Sequence, residues 1–139
     1  MDQEKDYIKR EIQKLTFALK KLIDKIVSSD VNNFEVTTIE TNEKLKEHLG
    51  LSLEEIARSE NLKLRDKMVT CHDDHLETLI EILFKIIQKS QEFNVELNFD
   101  KKELSKKLLL MIDFANEKSK SFSVERMNMK TQLIKNLNK

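Results

Sequence analysis

The chain has no proline, no tryptophan, one glycine and one cysteine among its 139 residues. Tight β-hairpins rely on glycine for positive backbone φ, so a fold made of many strands and turns is strongly disfavoured. Glycine-rich phosphate loops, dinucleotide fingerprints and nucleophile elbows each need several glycines at set spacings, and this chain cannot supply them. A lone cysteine also excludes an internal disulfide and a multi-cysteine zinc site.

The chain also lacks a net charge, because 25 Lys and Arg balance 25 Asp and Glu. Non-specific nucleic-acid binders carry a positive excess, since counterion release drives their binding. No apolar stretch after a basic start marks a signal peptide. The longest apolar-rich segment, Leu76 to Ile87, is interrupted by charges and is too short to cross a bilayer. The sequence therefore predicts no nucleic-acid partner, no membrane partner and a cytoplasmic location.

Charged residues are abundant, at 36% of the chain against a usual value of about 25%, while hydrophobic residues make up 39%. Helices suit this composition, because each needs only one apolar stripe and leaves the rest of its surface to Lys and Glu. The length fits one domain. We predict a single all-α domain over residues 1–139, with five or six helices packed as antiparallel hairpins or a bundle.

The first helix is predicted from about Gln3 to Val27. Its apolar residues recur at alternating intervals of four and three, which places six of them on one stripe: Ile8, Ile12, Leu15, Leu19, Leu22 and Ile26. Tyr7 and Phe17 lie near this stripe and are expected to dock on neighbouring helices. The stripe also makes this helix the expected interface of a homodimer.

The segment from Asp30 to Cys71 gives a weaker helical signal. Val36, Ile39, Leu45 and Leu49 indicate a second helix, although three threonines weaken it. Gly50 follows as a C-terminal cap, and Ser52 with Glu55 forms a capping box for a short helix. A further short helical piece is expected from four apolar residues: Leu62, Leu64, Met68 and Val69.

The most apolar helix is predicted from about Asp74 to Glu92, at the centre of the fold. After it, apolar and polar residues alternate, which we interpret as an ordered loop sealing the core with Phe93, Val95, Leu97 and Phe99. Asp100 and Glu103 form a capping box for a helix to about Lys118. Ser121 or Ser123 caps a last helix through Asn136, whose expected inward residues are Val124, Met127, Ile134 and Leu137.

The densest polar cluster is the run from Cys71 to His75, Cys-His-Asp-Asp-His. Thiolate and imidazole bind zinc, but a tetrahedral site needs four ligands, so His48 or a partner chain would have to contribute. We prefer a structural interpretation in which Asp73 or Asp74 caps the next helix, Cys71 is a small buried residue, and His72 and His75 are half-exposed. No catalytic residue, metal ligand or cofactor is therefore assigned.

The opening Asp6-Tyr7-Ile8, followed by Ile12, Leu15 and Leu19, resembles the start of small bacterial helical proteins of tetratricopeptide-like character. The closing residues 121–126, SFSVER, resemble the tail of similar proteins. The Trp, Gly, Tyr and Pro positions of the standard tetratricopeptide consensus are absent. The resemblance implies a degenerate stack of helices and transfers no catalytic residue.

Amphipathic faces without a catalytic motif favour one functional class. We predict a non-enzymatic protein–protein interaction or scaffold module, whose partner is another protein or a second copy of the chain. The alternative is a small metal- or thiol-dependent enzyme centred on Cys71, His72 and His75. A third hypothesis, a regulatory subunit with a nucleic-acid-binding partner, requires a one-sided basic surface that the interspersed charges do not suggest.

Overall fold

A computed structural model describes residues 2–120 and 122–138 and contains seven helices and no strand within those ranges. The helices are α1 (Asp2–Ser28), α2 (Phe34–Leu49), α3 (Leu53–Arg58), α4 (Asn61–Thr70), α5 (Asp73–Glu92), α6 (Lys101–Ser119) and α7 (Val124–Leu137). The all-α prediction is confirmed. The number of helices exceeds the expected five or six, because the weakly patterned segment before Cys71 forms separate short helices.

The long helices run alongside one another around α5. His75 Nε2 lies 3.1 Å from the Ile12 carbonyl oxygen, and Lys89 Nζ lies 3.2 Å from the Ser29 carbonyl oxygen, so α1 and α5 run in the same direction. The Lys118 ammonium donates to the Cys71 carbonyl over 3.2 Å, which shows that α6 returns antiparallel to α5. Helix α7 then reverses again and follows α5.

One cluster of buried apolar residues draws on all seven helices. Helix α5 contributes more of them than any other helix, on several of its faces. A helix that is apolar around most of its circumference must be enclosed by neighbours, and α1 and α6 provide most of that cover. Helix α7 packs on α6 and reaches α5 through the Arg126–Glu77 and Asn136–Gln91 side-chain pairs. The predicted central position of α5 agrees with the observed packing.

The helix ends are set by local capping. Gly50 has a φ of 73°, and its backbone N–H donates to the Lys46 carbonyl at the end of α2. Both halves of the capping box between Ser52 and Glu55 are present at the start of α3. The Asp100 carboxylate accepts two backbone N–H groups at the start of α6. Ser123 caps α7, whereas Ser121 lies outside the described residues.

The predicted second helix is present as α2, but its inward face includes threonines rather than all of the apolar residues that indicated it. Val36 and Ile39 are exposed, while Thr38 and Thr41 are buried. The Thr38 hydroxyl donates to the Phe34 carbonyl over 2.9 Å, and the Thr41 hydroxyl bonds back to the helix backbone in the same way. Because these hydroxyls are satisfied within the helix, threonine methyl groups can enter the core at little cost. Among the apolar residues that indicated α4, Leu64 is buried but Leu62 is exposed.

The prediction for α7 is wrong in its orientation. Three of the four residues expected to point inward are exposed, namely Val124, Met127 and Ile134, and Leu137 is half-buried. The buried residues are Leu133 and Arg126. Hydropathy assigns arginine to solvent, so the apolar pattern selected a face rotated by about 100° from the buried one, since Met127 and Ile134 each follow a buried residue by one position.

Arg126 is 5% exposed, and its guanidinium bonds to side chains of two other helices. Its Nε donates to Asn116 Oδ1 over 2.6 Å, its Nη2 donates to Ser119 Oγ over 3.1 Å, and its Nη1 pairs with the Glu77 carboxylate. These contacts connect α7 to both α5 and α6. A buried guanidinium with its donors engaged therefore fixes the rotation of α7 about its own axis.

The extended segment after α5 behaves as predicted. Phe93, Val95, Leu97 and Phe99 are half-buried and pack against the core, while the residues between them are exposed. The Phe93 ring meets the Phe34 ring edge-on, with centroids 5.6 Å apart. No strand partner is needed, because the alternation places one row of side chains on the helices.

The glycine cap gives a test of local strain. A Cβ at Gly50 would meet only the mobile end of Lys67, at 3.4 Å, so the penalty for Gly50→Ala comes from its positive φ. We expect this substitution to lower the free energy of unfolding by about 1–2 kcal/mol, measured by urea denaturation. The reciprocal control is Lys120→Gly, because Lys120 has a φ of 54°, and this change should be neutral or stabilising.

The buried arginine gives a second test. We expect Arg126→Met to destabilise the protein by about 2 kcal/mol or more, because it leaves the partners of a buried, fully engaged guanidinium without their donor. Lys130→Met is the matched control, since the Lys130–Asp113 pair is exposed and should contribute less than about 1 kcal/mol. Equal losses for the two variants in chemical denaturation would contradict the anchoring role of Arg126.

Candidate functional site

The N-terminal part of α1 extends beyond the body of the protein. His75, in the first turn of α5, lies beside Ile12, and the residues from Gln3 to Glu11 are all exposed. At 1.5 Å per residue this extension is about 13 Å long. Tyr7 and Ile8 on it are 63% and 57% exposed, and Phe17 is exposed as well, which corrects the expectation that the two aromatic rings dock on neighbouring helices.

An open apolar cleft of about 480 Å³ lies along this extension, and we name it the α1 cleft. Its α1 wall is formed by Tyr7, Ile8, Ile12, Leu15 and Ala18. Its far side is formed by two histidines, His48 near the end of α2 and His75 in α5, and the charged side chains Glu11 and Lys14 also line it. The half of the predicted stripe that is not in the core thus forms an accessible surface.

A second cavity, of about 250 Å³, adjoins the α1 cleft, and we name it the histidine cavity. All three histidines and the only cysteine of the chain line it: His48, Cys71, His72 and His75. The structure therefore brings His48 to the cluster that sequence alone placed between residues 71 and 75. Its apolar wall comes mainly from α4, α5 and α6, and no local spacing in the sequence links those residues.

The individual roles in the cluster differ from the prediction. His72, not Asp73 or Asp74, caps α5, because its Nδ1 accepts the Asp74 backbone N–H over 3.1 Å. His75 is buried rather than half-exposed, and Cys71 is half-buried between α4 and α5. The exposed Asp73 carboxylate pairs with Lys118 over 2.9 Å, and this hydrogen bond lowers the pKa of Asp73.

The surroundings of Cys71 favour the neutral thiol. Burial raises the pKa of Cys71 above its usual value, and the nearby Asp73 adds to that rise, while Lys118 and Lys67 oppose it. A thiol nucleophile needs the opposite shift, because the thiolate is the reactive form. Among the residues that the structure describes, no group of three or more His, Cys, Asp and Glu side chains is placed to hold a metal ion.

Comparison with protein-family models, with curated proteins and with solved structures gives no significant match for this chain. In the described ranges, no helix combines the length and the apolar character needed to cross a membrane. The resemblance to tetratricopeptide-like proteins stays a prediction.

The raised pKa of Cys71 predicts slow alkylation. At pH 8 the folded protein should react with iodoacetamide more slowly than the urea-unfolded chain, because less thiolate is present at a given pH when the pKa is higher. Asp73→Asn should increase the rate, since it removes a negative charge that disfavours the thiolate. Lys118→Met should decrease it. A folded-state rate above that of the unfolded chain would contradict the assignment.

Proposed function

We propose that this protein is a non-enzymatic interaction module and that its docking surface is the α1 cleft. The observation that carries the proposal is the exposure of Tyr7 and Ile8 on a helix whose apolar row continues into the half-buried Ile12 and Leu15. Full burial of an apolar side chain of this size is worth about 1.5–3 kcal/mol. A partner that covers the row gains part of this energy at each position, and the gain is larger at the exposed Ile8 than at the half-buried Ile12 and Leu15.

The occupant that fits best is the N-terminal extension of α1 from a second copy. Ile8 on the extension continues through Ile12 and Leu15 with the spacing of a helix-pairing seam, and the extension itself is exposed on its own chain. A two-fold arrangement would set Ile8 of each copy against Ile12 and Leu15 of the other, which makes the contact self-complementary. The mode is that of an apolar helix lying in a groove.

The alternative, a metal- or thiol-dependent enzyme at Cys71, His72 and His75, has one observation in its favour, since the three residues line a common cavity. The raised pKa of the Cys71 thiol opposes the thiol version. The metal version would have to recruit a ligand from elsewhere. Elemental analysis of the purified protein, with a thermal melt in a chelator, separates the two functions.

The proposal predicts self-association that depends on Ile8. In sedimentation velocity we expect a reversible dimer, and Ile8→Asp should weaken its association by about tenfold or more, because a charge replaces a buried apolar contact. Val36→Asp on α2 is the matched control, since Val36 is equally exposed, at 57%, and lies away from the cleft. A protein that stays monomeric at about 1 mM would exclude pairing stronger than about 4 kcal/mol and overturn the self-docking proposal.

A further inference from the structure

We propose that the histidine cavity binds a small, uncharged aromatic molecule that carries one hydrogen-bond donor and is about the size of indole, with His75 Nδ1 accepting its hydrogen bond. This binding site shares Leu15, His48 and His75 with the α1 cleft, but it goes beyond the docking surface proposed above, because its floor lies among α4, α5 and α6 rather than on the N-terminal extension of α1. Three observations carry the proposal, namely the size and composition of the walls, the free nitrogen of His75, and the lack of a buried charge.

The walls of the cavity suit an aromatic ring. Leu49 and Leu51 are half-buried and provide accessible apolar surface, while the buried side chains of Leu64, Met68 and Met111 close the floor of the cavity. An apolar cavity of about 150 Å³ is known to accept benzene. The volume of about 250 Å³ is thus enough for a substituted ring or a fused bicyclic ring.

His75 supplies the hydrogen-bond acceptor. Its Nε2 lies 3.1 Å from the Ile12 carbonyl oxygen, and a carbonyl only accepts, so Nε2 carries the proton of the neutral ring. The lone pair is then on Nδ1, which has no partner among the described residues, although the side chain is only 7% exposed. Within the part of the chain that the structure describes, no side-chain nitrogen or oxygen is both fully buried and unpartnered, so Nδ1 keeps some accessible surface.

The remaining polar groups of the cavity are neutral or lie at its mouth. Among the residues that the structure describes, no carboxylate lines the cavity, and the one charged lining residue, Lys67, is exposed. His72 accepts a backbone N–H at Nδ1, so this nitrogen is already engaged in capping α5. An ionised ligand would lose hydration without gaining a buried partner of opposite charge, whereas a neutral donor would pair with His75.

The test compares indole with indene, which has nearly the same shape but lacks the N–H donor. Each compound is titrated into the full chain and followed by two-dimensional NMR of the backbone amides. We expect saturable shifts at residues around the histidine cavity and about tenfold tighter binding of indole, which corresponds to one net hydrogen bond.

Variants assign the acceptor and the location. His75→Leu should bring the indole-to-indene affinity ratio close to one, whereas His75→Gln should keep it, because a carboxamide can donate to the Ile12 carbonyl and still accept from the ligand. Leu49→Phe should fill the cavity and abolish binding of both compounds. Leu110→Phe is the matched control, since Leu110 is half-buried on α6 and does not line the cavity, and it should bind as the wild type does.

The proposal is overturned if neither compound gives saturable shifts, if the wild type binds both equally, or if Leu49→Phe leaves binding unchanged. Tighter binding of benzoate than of indole would overturn the neutral character of the ligand. Ile8→Asp separates this proposal from the docking surface, because it should disrupt self-association and leave indole binding intact. Loss of indole binding in that variant would place the ligand in the α1 cleft and contradict the assignment to the histidine cavity.

Discussion

The packing of this protein depends on enclosing α5, whose buried residues extend over several of its faces. An apolar helix of this kind is stable in water only when neighbouring helices cover it. Helix α1 follows it in the same direction, α6 returns along it and α7 follows it again. Because α1 is longer than the part of α5 that it covers, its first turns have no counterpart within the chain. The same constraint therefore builds the core and leaves Tyr7 and Ile8 exposed on the extension.

Much of the fold could be predicted from local patterns. Gly50 and the Ser52–Glu55 box were identified because their effects act within one turn of helix, where sequence neighbours are also neighbours in space. The half-buried alternation of residues 93–99 was identifiable for the same reason. The orientations of α2 and α7 could not be predicted from local patterns, because they depend on side chains from other helices. Thr38 and Arg126 are buried through hydrogen bonds that hydropathy does not register.

The candidate site was accessible to sequence reasoning only in part. The cluster from Cys71 to His75 was recognisable from its density of polar residues, and His48 was named as a distant contributor. The exposure of Tyr7 was not predictable, because it depends on where α5 begins relative to α1. The apolar walls of the histidine cavity were hidden as well, since Leu49, Leu64 and Met111 come from three different helices. Burial of His75 depends on that same long-range packing.

The anchoring of α7 has a consequence for how its register is selected. The helix carries apolar residues on two faces, Leu133 on one and Met127 with Ile134 on the other. Non-directional hydrophobic attraction does not distinguish strongly between two such rotations. The Arg126 guanidinium distinguishes between the two rotations, because its donors reach Asn116 and Ser119 in only one rotation of α7. Directional hydrogen bonds thereby select a single rotation of α7, where hydrophobic contacts alone would leave two rotations populated in the folded ensemble. The selected rotation leaves apolar side chains of α7 in contact with water.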